Sequence, residues 1–427
     1  MLGQYVQALP GMLAPCLLVM SMSVLLTVGE GRDKPVSVRW RLYGLLVGLA
    51  GACVFAGLRG TAVITRRSNV NLPALIGCVA FDVAMIAVVL LARRATRDWH
   101  ARPARLHVAN ALSALGIAFT VFYATPDVIL QLTNFVETGD SPFTSAMLLR
   151  ALGFALGIGT AVVVAAIFRT LRTTAVRWAF TLSALLVVAI GLVRHLADLF
   201  SLMMSMRILV LHGTAFRMMI RVHNADRWLA IAQMLVFLIP VVASLVAGFR
   251  TKTKGAPELN DATLRLRKAF RRRAVAASVW SLVAMIGVTT MLTWGVAEVN
   301  KKPVLSPPEP YSLVDGTATI TFAQVEDGHL HRFEYTAADG TVMRFIIIKK
   351  NGGAYGIGLD ACETCGDAGY YEKDGKIICK RCDVAINLAT IGFKGGCNPV
   401  PFNYKVANGQ ITIQTADLDA LSAHFKK

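Results

Sequence analysis

The stretch C-E-T-C-G-D-A-G-Y-Y-E-K-D-G-K-I-I-C-K-R-C-D (362–383), followed by G-G-C-N-P (395–399), holds five of the eight cysteines of the chain. Cys362 and Cys365 form one C-x2-C unit, thirteen residues follow, and Cys379 and Cys382 form a second. Cys397 stands fourteen residues further on. A C-x2-C turn aims both sulfurs at one point, and the amides of the turn can donate to the thiolates. Two such turns supply four soft ligands, a set that suits zinc or an iron–sulfur centre. The competing reading is a pair of structural disulfides. Neither unit is followed by His, which argues against c-type haem attachment.

Working outward from the cysteines, the flanks read as strands. A-T-I-T-F-A-Q-V (318–325), H-L-H-R-F-E-Y-T (329–336) and T-V-M-R-F-I-I-I (341–348) alternate apolar and polar residues, with turns at Asp327-Gly328 and Asp339-Gly340. Asn408-Gly409 is expected to turn a hairpin between N-Y-K-V-A and Q-I-T-I-Q, and a short helix is expected over 415–426. A mainly-β domain at 312–427 is therefore expected to be built around the Cys-rich site. Pro303, Pro307, Pro308 and Pro310 make 299–311 a semi-rigid linker in front of it.

Upstream the composition changes. Of 427 residues, 55% are hydrophobic and only 16% charged, which is too apolar for an ordinary soluble protein. Apolar runs at about 9–28, 42–63, 72–92, 106–132, 145–168, 178–200, 228–249 and 274–297 are each long enough to span a bilayer. The fold class expected is thus an α-helical polytopic membrane bundle of about eight spans over 1–298, followed by the small β domain. No Lys or Arg precedes the first run, so it lacks the charged start of a signal peptide.

The net charge is +18, and its placement matters more than its size. Loops 29–41, 93–105, 169–177 and 250–273 carry 21 Lys and Arg, against 6 in the alternate loops. By the positive-inside rule the rich loops are cytoplasmic, and both termini and the C-terminal domain are extracytoplasmic. The sequence holds no nucleic-acid motif, no Gly-rich phosphate loop, no internal repeat, and no Ser-His-Asp or paired-carboxylate pattern that would argue for hydrolysis.

Four segments carry a family resemblance: D-G-H-L-H-R-F-E-Y (327–335), G-L-D-A-C-E-T-C-G-D-A-G-Y-Y (358–371), I-C-K-R-C-D-V-A-I-N (378–387) and T-I-G-F-K-G-G-C-N-P-V-P (390–401). Over roughly 320–415 the chain resembles the FtrD-like membrane iron–sulfur protein family. The resemblance implies a bacterial inner-membrane protein associated with iron or heavy-metal transport, acting beside a ferrous-iron permease and periplasmic iron- or copper-binding proteins. It also implies an iron–sulfur cluster and a role as electron carrier. The family's cysteine pattern maps onto Cys362, Cys365, Cys379, Cys382 and Cys397, all present.

Three species compete for these sulfurs: a cluster, a zinc ion, or a thiol–disulfide relay. Clusters are assembled in the cytoplasm, and a domain threaded outward unfolded cannot carry one along. An oxidising compartment favours disulfides. A structural zinc module that docks a periplasmic partner is the third functional class. Cys397 would be a spare thiol, a substitute ligand or a resolving thiol. His329 and His331 alternate on an expected strand and so share a face, where they could hold a second metal. The simpler reading is two exposed polar side chains. Asp360 is expected to bond the backbone of the first C-x2-C turn.

In the membrane half, Asp82, Arg59, Arg194, His195 and Asp198 lie within apolar runs, where ionisable groups are costly and face a polar interior. Arg194 and Asp198 are spaced to pair on one helix face. A structural ion pair and an ion or proton path are both open. Cys16, Cys53 and Cys78 are expected only to pack. The segment 201–227, with Met203, Met204, Met206, Met218, Met219, His212, His223 and four arginines, reads as an amphipathic interfacial stretch whose thioethers could also suit copper(I).

Overall fold

The computed structural model describes residues 1–28, 38–97, 99–136, 143–252, 260–301, 303–350, 353–373 and 375–426. Of the basic loop residues, Arg32, Lys34 and Lys254 lie outside the described residues. The chain forms two compact units, Met1–Asn300 and Lys301–Lys427.

Among the described residues, the first unit has eight helical segments long and apolar enough to cross a membrane. They are α1 (Leu2–Leu26), α2 (Val38–Gly60), α3 (Ser68–Arg97), α4 (Pro103–Ala124) continued by α5 (Pro126–Leu130), α6 (Ser145–Thr170), α7 (Arg177–Ser205), then, past the short α8 (Gly213–Asn224), α9 (Asp226–Leu235) with α10 (Leu238–Arg250), and α11 (Asp261–Thr290) with α12 (Val296–Val299). Pro126 ends the regular ladder of α4 because it has no N–H to donate. A π-helical turn, Met291–Gly295, joins α11 to α12.

Helix α1 is the hub. Leu9, Leu13, Leu17, Met22, Leu25 and Leu26 are fully buried, and α1 packs against α3, α4, α6, α7 and α9. The surrounding helices keep large apolar side chains outward, among them Val47, Leu90, Trp280 and Ile286. A helix apolar all round needs an apolar surrounding, here lipid. Small residues set the closest approaches: a Cβ at Gly48 on α2 would stand 2.7 Å from the Ala118 carbonyl oxygen on α4. With lipid as apolar as leucine, such close backbone packing replaces the hydrophobic drive between helices. Buried Arg41 donates to Asn110 Oδ1 at 3.0 Å and Thr27 Oγ1 at 2.9 Å, and Arg177 to Thr96 Oγ1 at 2.7 Å.

Among the described residues, the second unit holds three antiparallel sheets. The first, in the order β1-β2-β10-β9, contains β1 (Ser312–Val314), β2 (Thr317–Thr321), β9 (Lys405–Ala407) and β10 (Gln410–Gln414). The second is β3 (His331–Thr336), β4 (Val342–Lys349) and β5 (Tyr355–Leu359). The third is β6 (Tyr370–Lys373), β7 (Lys376–Cys379) and β8 (Ala385–Ile386). The Asn408-Gly409 hairpin forms as its dipeptide demands, with both residues at positive φ. The run 318–325 is strand only to Thr321; Phe322–Val325 make one helical turn, α13, and 415–426 is split into α14 (Thr415–Asp419) and a 3₁₀ turn.

Strand β4 positions the site, because it is buried on both faces. Phe345 and Ile347 point into a core shared with the first sheet, through Ile320, Phe333, Ile411 and Ile413. Ile346 and Ile348 point the other way, into a second core with Cys362, Cys365, Tyr370, Ile377 and Cys379. Burying each of these isoleucines contributes roughly 1.5–3 kcal/mol. The uninterrupted F-I-I-I run thus reflects a strand sandwiched on both sides rather than a half-buried one.

Candidate metal centre

The cysteines come from three loops on the far face of β4. In the first, the Cys362 N–H donates to the Gly366 carbonyl at 3.1 Å and Gly366 N–H returns to the Cys362 carbonyl at 2.9 Å. This turn is closed by Gly366 at φ +65°, a left-handed conformation that a side chain would resist. It aims the Cys365 N–H at Cys362 Sγ, 3.1 Å away. In the second loop, Asp383 N–H bonds the Cys379 carbonyl at 2.9 Å and Cys379 N–H bonds the Val384 carbonyl at 3.0 Å. Arg381 ties the loops together by donating to the Cys365 carbonyl at 3.0 Å. The third loop turns through Gly395 and Gly396, both at positive φ, and is held by Thr364 to the Gly396 carbonyl at 3.2 Å and by Tyr370 Oη to the Cys397 carbonyl at 2.7 Å.

Among the described residues, two groups of potential ligand atoms result. The sulfurs of Cys362, Cys365 and Cys379 lie within 4.8 Å of one another, and so do those of Cys365, Cys382 and Cys397. Cys365 belongs to both, so the five sulfurs form one continuous cluster. Cys397 is a full member rather than a bystander. Four zinc–thiolate bonds of about 2.3 Å place sulfurs about 3.8 Å apart at the corners of a tetrahedron. Cys382 and Cys397 are 3.7 Å apart, so the donor set fits a thiophilic metal. All five thiols are free.

Electrostatics adds to this picture. Burial pushes the Cys365 thiol well above its ordinary value, and the neighbouring thiols of Cys382 and Cys379 push it further. Burial also raises Cys379. Cys397 is raised by its bond to Cys382 and by burial. Exposed Cys382 is lowered, first by the backbone N–H of Val384. Cys365, Cys379 and Cys397 would give up these protons and serve as thiolates if they held a cation.

A buried frame supports the cluster. Arg332 Nε meets Asp360 Oδ2 at 2.8 Å, Arg344 Nε meets the same oxygen at 3.0 Å, and Tyr370 N–H donates to Asp360 Oδ1 at 2.7 Å. Arg332 also donates to the Tyr370 carbonyl and to Ser306. Asp360 therefore bonds the start of β6, not the backbone of the Cys362–Cys365 turn. Cysteine spacing alone does not mark Arg332, Arg344 or Tyr370 as part of the site. An arginine inside the apolar alternation of β3 was the available signal, since a fully buried Arg demands a carboxylate.

His329 and His331 do not share a strand face. His329 precedes β3, is exposed, and bonds Glu372 at 3.0 Å, which draws its imidazole above the ordinary value. His331 is buried between Glu309, at 2.9 Å from Nδ1, and Asp327, at 2.8 Å from Nε2. Its carboxylate partners occupy both ring nitrogens, and neither histidine falls in a sulfur group. In the membrane unit Arg194 pairs with Asp226 at 2.7 Å rather than with Asp198, and Arg59 pairs with Asp127 at 2.6 Å. Asp82 meets His195 at 2.6 Å. Met218 is exposed and Met219 buried on α8; Cys78 is buried, Cys16 half-buried and Cys53 exposed.

Residues 325–425 match the family model described as "Membrane iron-sulfur containing protein FtrD-like". That span includes all five clustered cysteines and the Arg332–Asp360–Tyr370 frame. No curated protein and no solved structure shows significant similarity to the chain.

Proposed function

We propose that the protein is a membrane component of a bacterial iron or heavy-metal uptake system. Its C-terminal unit holds an iron–sulfur centre or metal ion on Cys362, Cys365, Cys379, Cys382 and Cys397, and handles electrons or metal at the extracytoplasmic face of the inner membrane. The observation that carries this reading is the five-sulfur cluster with Cys365 common to both groups. The match to an iron–sulfur membrane family supports it. The 21-to-6 bias of basic loop residues supports the orientation. An iron–sulfur centre supplies one-electron chemistry when bound. The chain's own contribution is to hold the sulfurs, to exclude water with Ile346, Ile348 and Ile377, and to fix Cys397 through Tyr370. By the family resemblance its partners are an iron permease and periplasmic metal-binding proteins, with lipid around the helices.

The second reading is a zinc module that docks a periplasmic partner, favoured by the 3.7 Å separation of Cys382 and Cys397. Elemental analysis and the absorption spectrum of anaerobically purified protein decide between them. Iron with sulfide and a visible charge-transfer band supports the centre. Stoichiometric zinc without colour supports the module. No metal, with thiols that cycle between oxidised and reduced forms, overturns both and leaves a thiol–disulfide relay.

A further inference from the structure

Within the membrane unit a second set of chemistry-bearing groups has no part in the cysteine site. Asp82, on α3, is 2% exposed, and His195, on α7, is 8% exposed. Asp82 Oδ2 lies 2.6 Å from His195 Nδ1. Among the described residues His195 is the one hydrogen-bond partner of Asp82. The nearby cation, Arg194, is turned to Asp226 at 2.7 Å and Gln233 at 3.1 Å. A carboxylate in an apolar bundle with a neutral imidazole as its sole partner would be an uncompensated charge, which a bilayer interior strongly disfavours. The pair is therefore neutral only when it holds one proton beyond the imidazole's own, shared between Asp82 and His195.

The same groups line a small cavity with Thr120, Arg194 and Gln233, of about 30 Å³. A cavity needs roughly 10–15 Å³ to admit a water, so this one is roomy and polar enough to be hydrated. From the pair, a line of titratable groups leads to the surface. Asp198 stands one turn beyond His195 on α7, and the ring of Tyr123 packs edge-on against His195. Tyr123 Oη donates to Asp198 Oδ2 at 3.0 Å. Asp198 Oδ1 meets His223 Nδ1 at 3.1 Å, and the His223 side chain, on α8, is 42% exposed. The elements packed here add Cys78 on α3, one turn before Asp82, and Asp226 on α9; α1 contributes only apolar side chains, Ala14 and Leu18.

We propose that Asp82 and His195 form a buried proton-accepting site, loaded from the α8 face through His223 and Asp198. One proton enters from bulk water at the His223 imidazole, passes to the Asp198 carboxylate 3.1 Å away, and crosses the one turn of α7 between Asp198 and His195 to reach the pair, whose cavity has room for water. Only N–H and O–H bonds form and break, and loading takes the pair from a charge of −1 to neutral. No electron moves, and the path is independent of the metal reading of the C-terminal unit.

The test is nitrogen-15 NMR of the full-length protein, labelled at histidine, in lipid bilayers, with the His195 signal assigned by its loss in H195Q. The readout is the exchange rate of the His195 ring N–H with water. We expect ready exchange in the unaltered protein and a slowing of at least tenfold in D198N and in H223Q, both of which leave Asp82 and His195 in place. Circular dichroism matching that of the unaltered protein establishes that each variant is folded. An unexchanging His195 proton in the unaltered protein, or exchange in folded D198N as fast as before, overturns the proposal.

Discussion

Arg332 and Asp360 form an ion pair at 2.8 Å with side chains 1% and 0% exposed. It joins β3 to the residue that opens the first cysteine loop, and through the Tyr370 N–H it fixes the start of β6. Removing one member of such a pair strands the other as a buried charge, at a cost of about 3–5 kcal/mol. Asp360→Ala is expected to destabilise the C-terminal unit by that amount, read by denaturant titration of its hydrogen-exchange protection. Protection unchanged in the variant would show that the pair does not hold the site together.

Because Cys365 belongs to both sulfur groups, its loss breaks both. Cys365→Ser is expected to lower metal content at least tenfold after anaerobic purification. Cys362→Ser and Cys397→Ser each leave one group whole and should retain more metal than Cys365→Ser. Equal losses across the three variants in elemental analysis would argue that one four-ligand site, not a shared-sulfur cluster, binds the metal.

The raised thiols fix the sign of a pH effect. Burial raises Cys365 and Cys379, and contact with Cys382 raises Cys397. In the metal-free fold these neutral thiols contribute stability that is present below the ordinary thiol pKa of about 8.5 and lost as pH rises through the raised values. Hydrogen-exchange protection of β4 and β7 in chelator-treated protein should therefore fall in the alkaline range. Metal-loaded protein, with thiolates already formed, should hold its protection there and lose it on acidification, as protons compete for the sulfurs. The same alkaline loss with and without chelator would count against thiolate ligation.

The bias in basic loop residues predicts orientation. A reporter fused at the C-terminus should behave as extracytoplasmic, and one inserted within 250–273 as cytoplasmic. A cytoplasmic C-terminus would reverse the assignment, and it would place the cysteines where clusters are assembled.

Much of this architecture is legible in the chain itself. Apolar runs of bilayer length specify spanning helices because unsatisfied backbone groups are intolerable in lipid. The Asn408-Gly409 turn is equally local, since few residues accept positive φ. The paired C-x2-C units announce soft-metal chemistry from spacing alone. Non-local pairing was beyond reach. Arg194 was spaced for Asp198, yet it meets Asp226 on α9, and Asp198 turns to Tyr123 and His223. His329 and His331 looked alike in sequence, yet one is exposed and the other is clamped between Glu309 and Asp327.

The sequence by itself determined which segments are long and apolar enough to cross a bilayer, where the β domain begins, and which sulfurs are close in pairs. These follow from local chemistry: hydropathy over a span's length, the allowed φ of a turn residue, and the reach of a C-x2-C loop. Only the tertiary structure decided that Cys397 joins the other four, that Cys365 is common to both groups, that β4 is covered on both faces, and that Asp82 meets His195. Each of those depends on segments far apart in the chain, whose meeting is set by the packing of whole sheets and helices rather than by any residue's own preference.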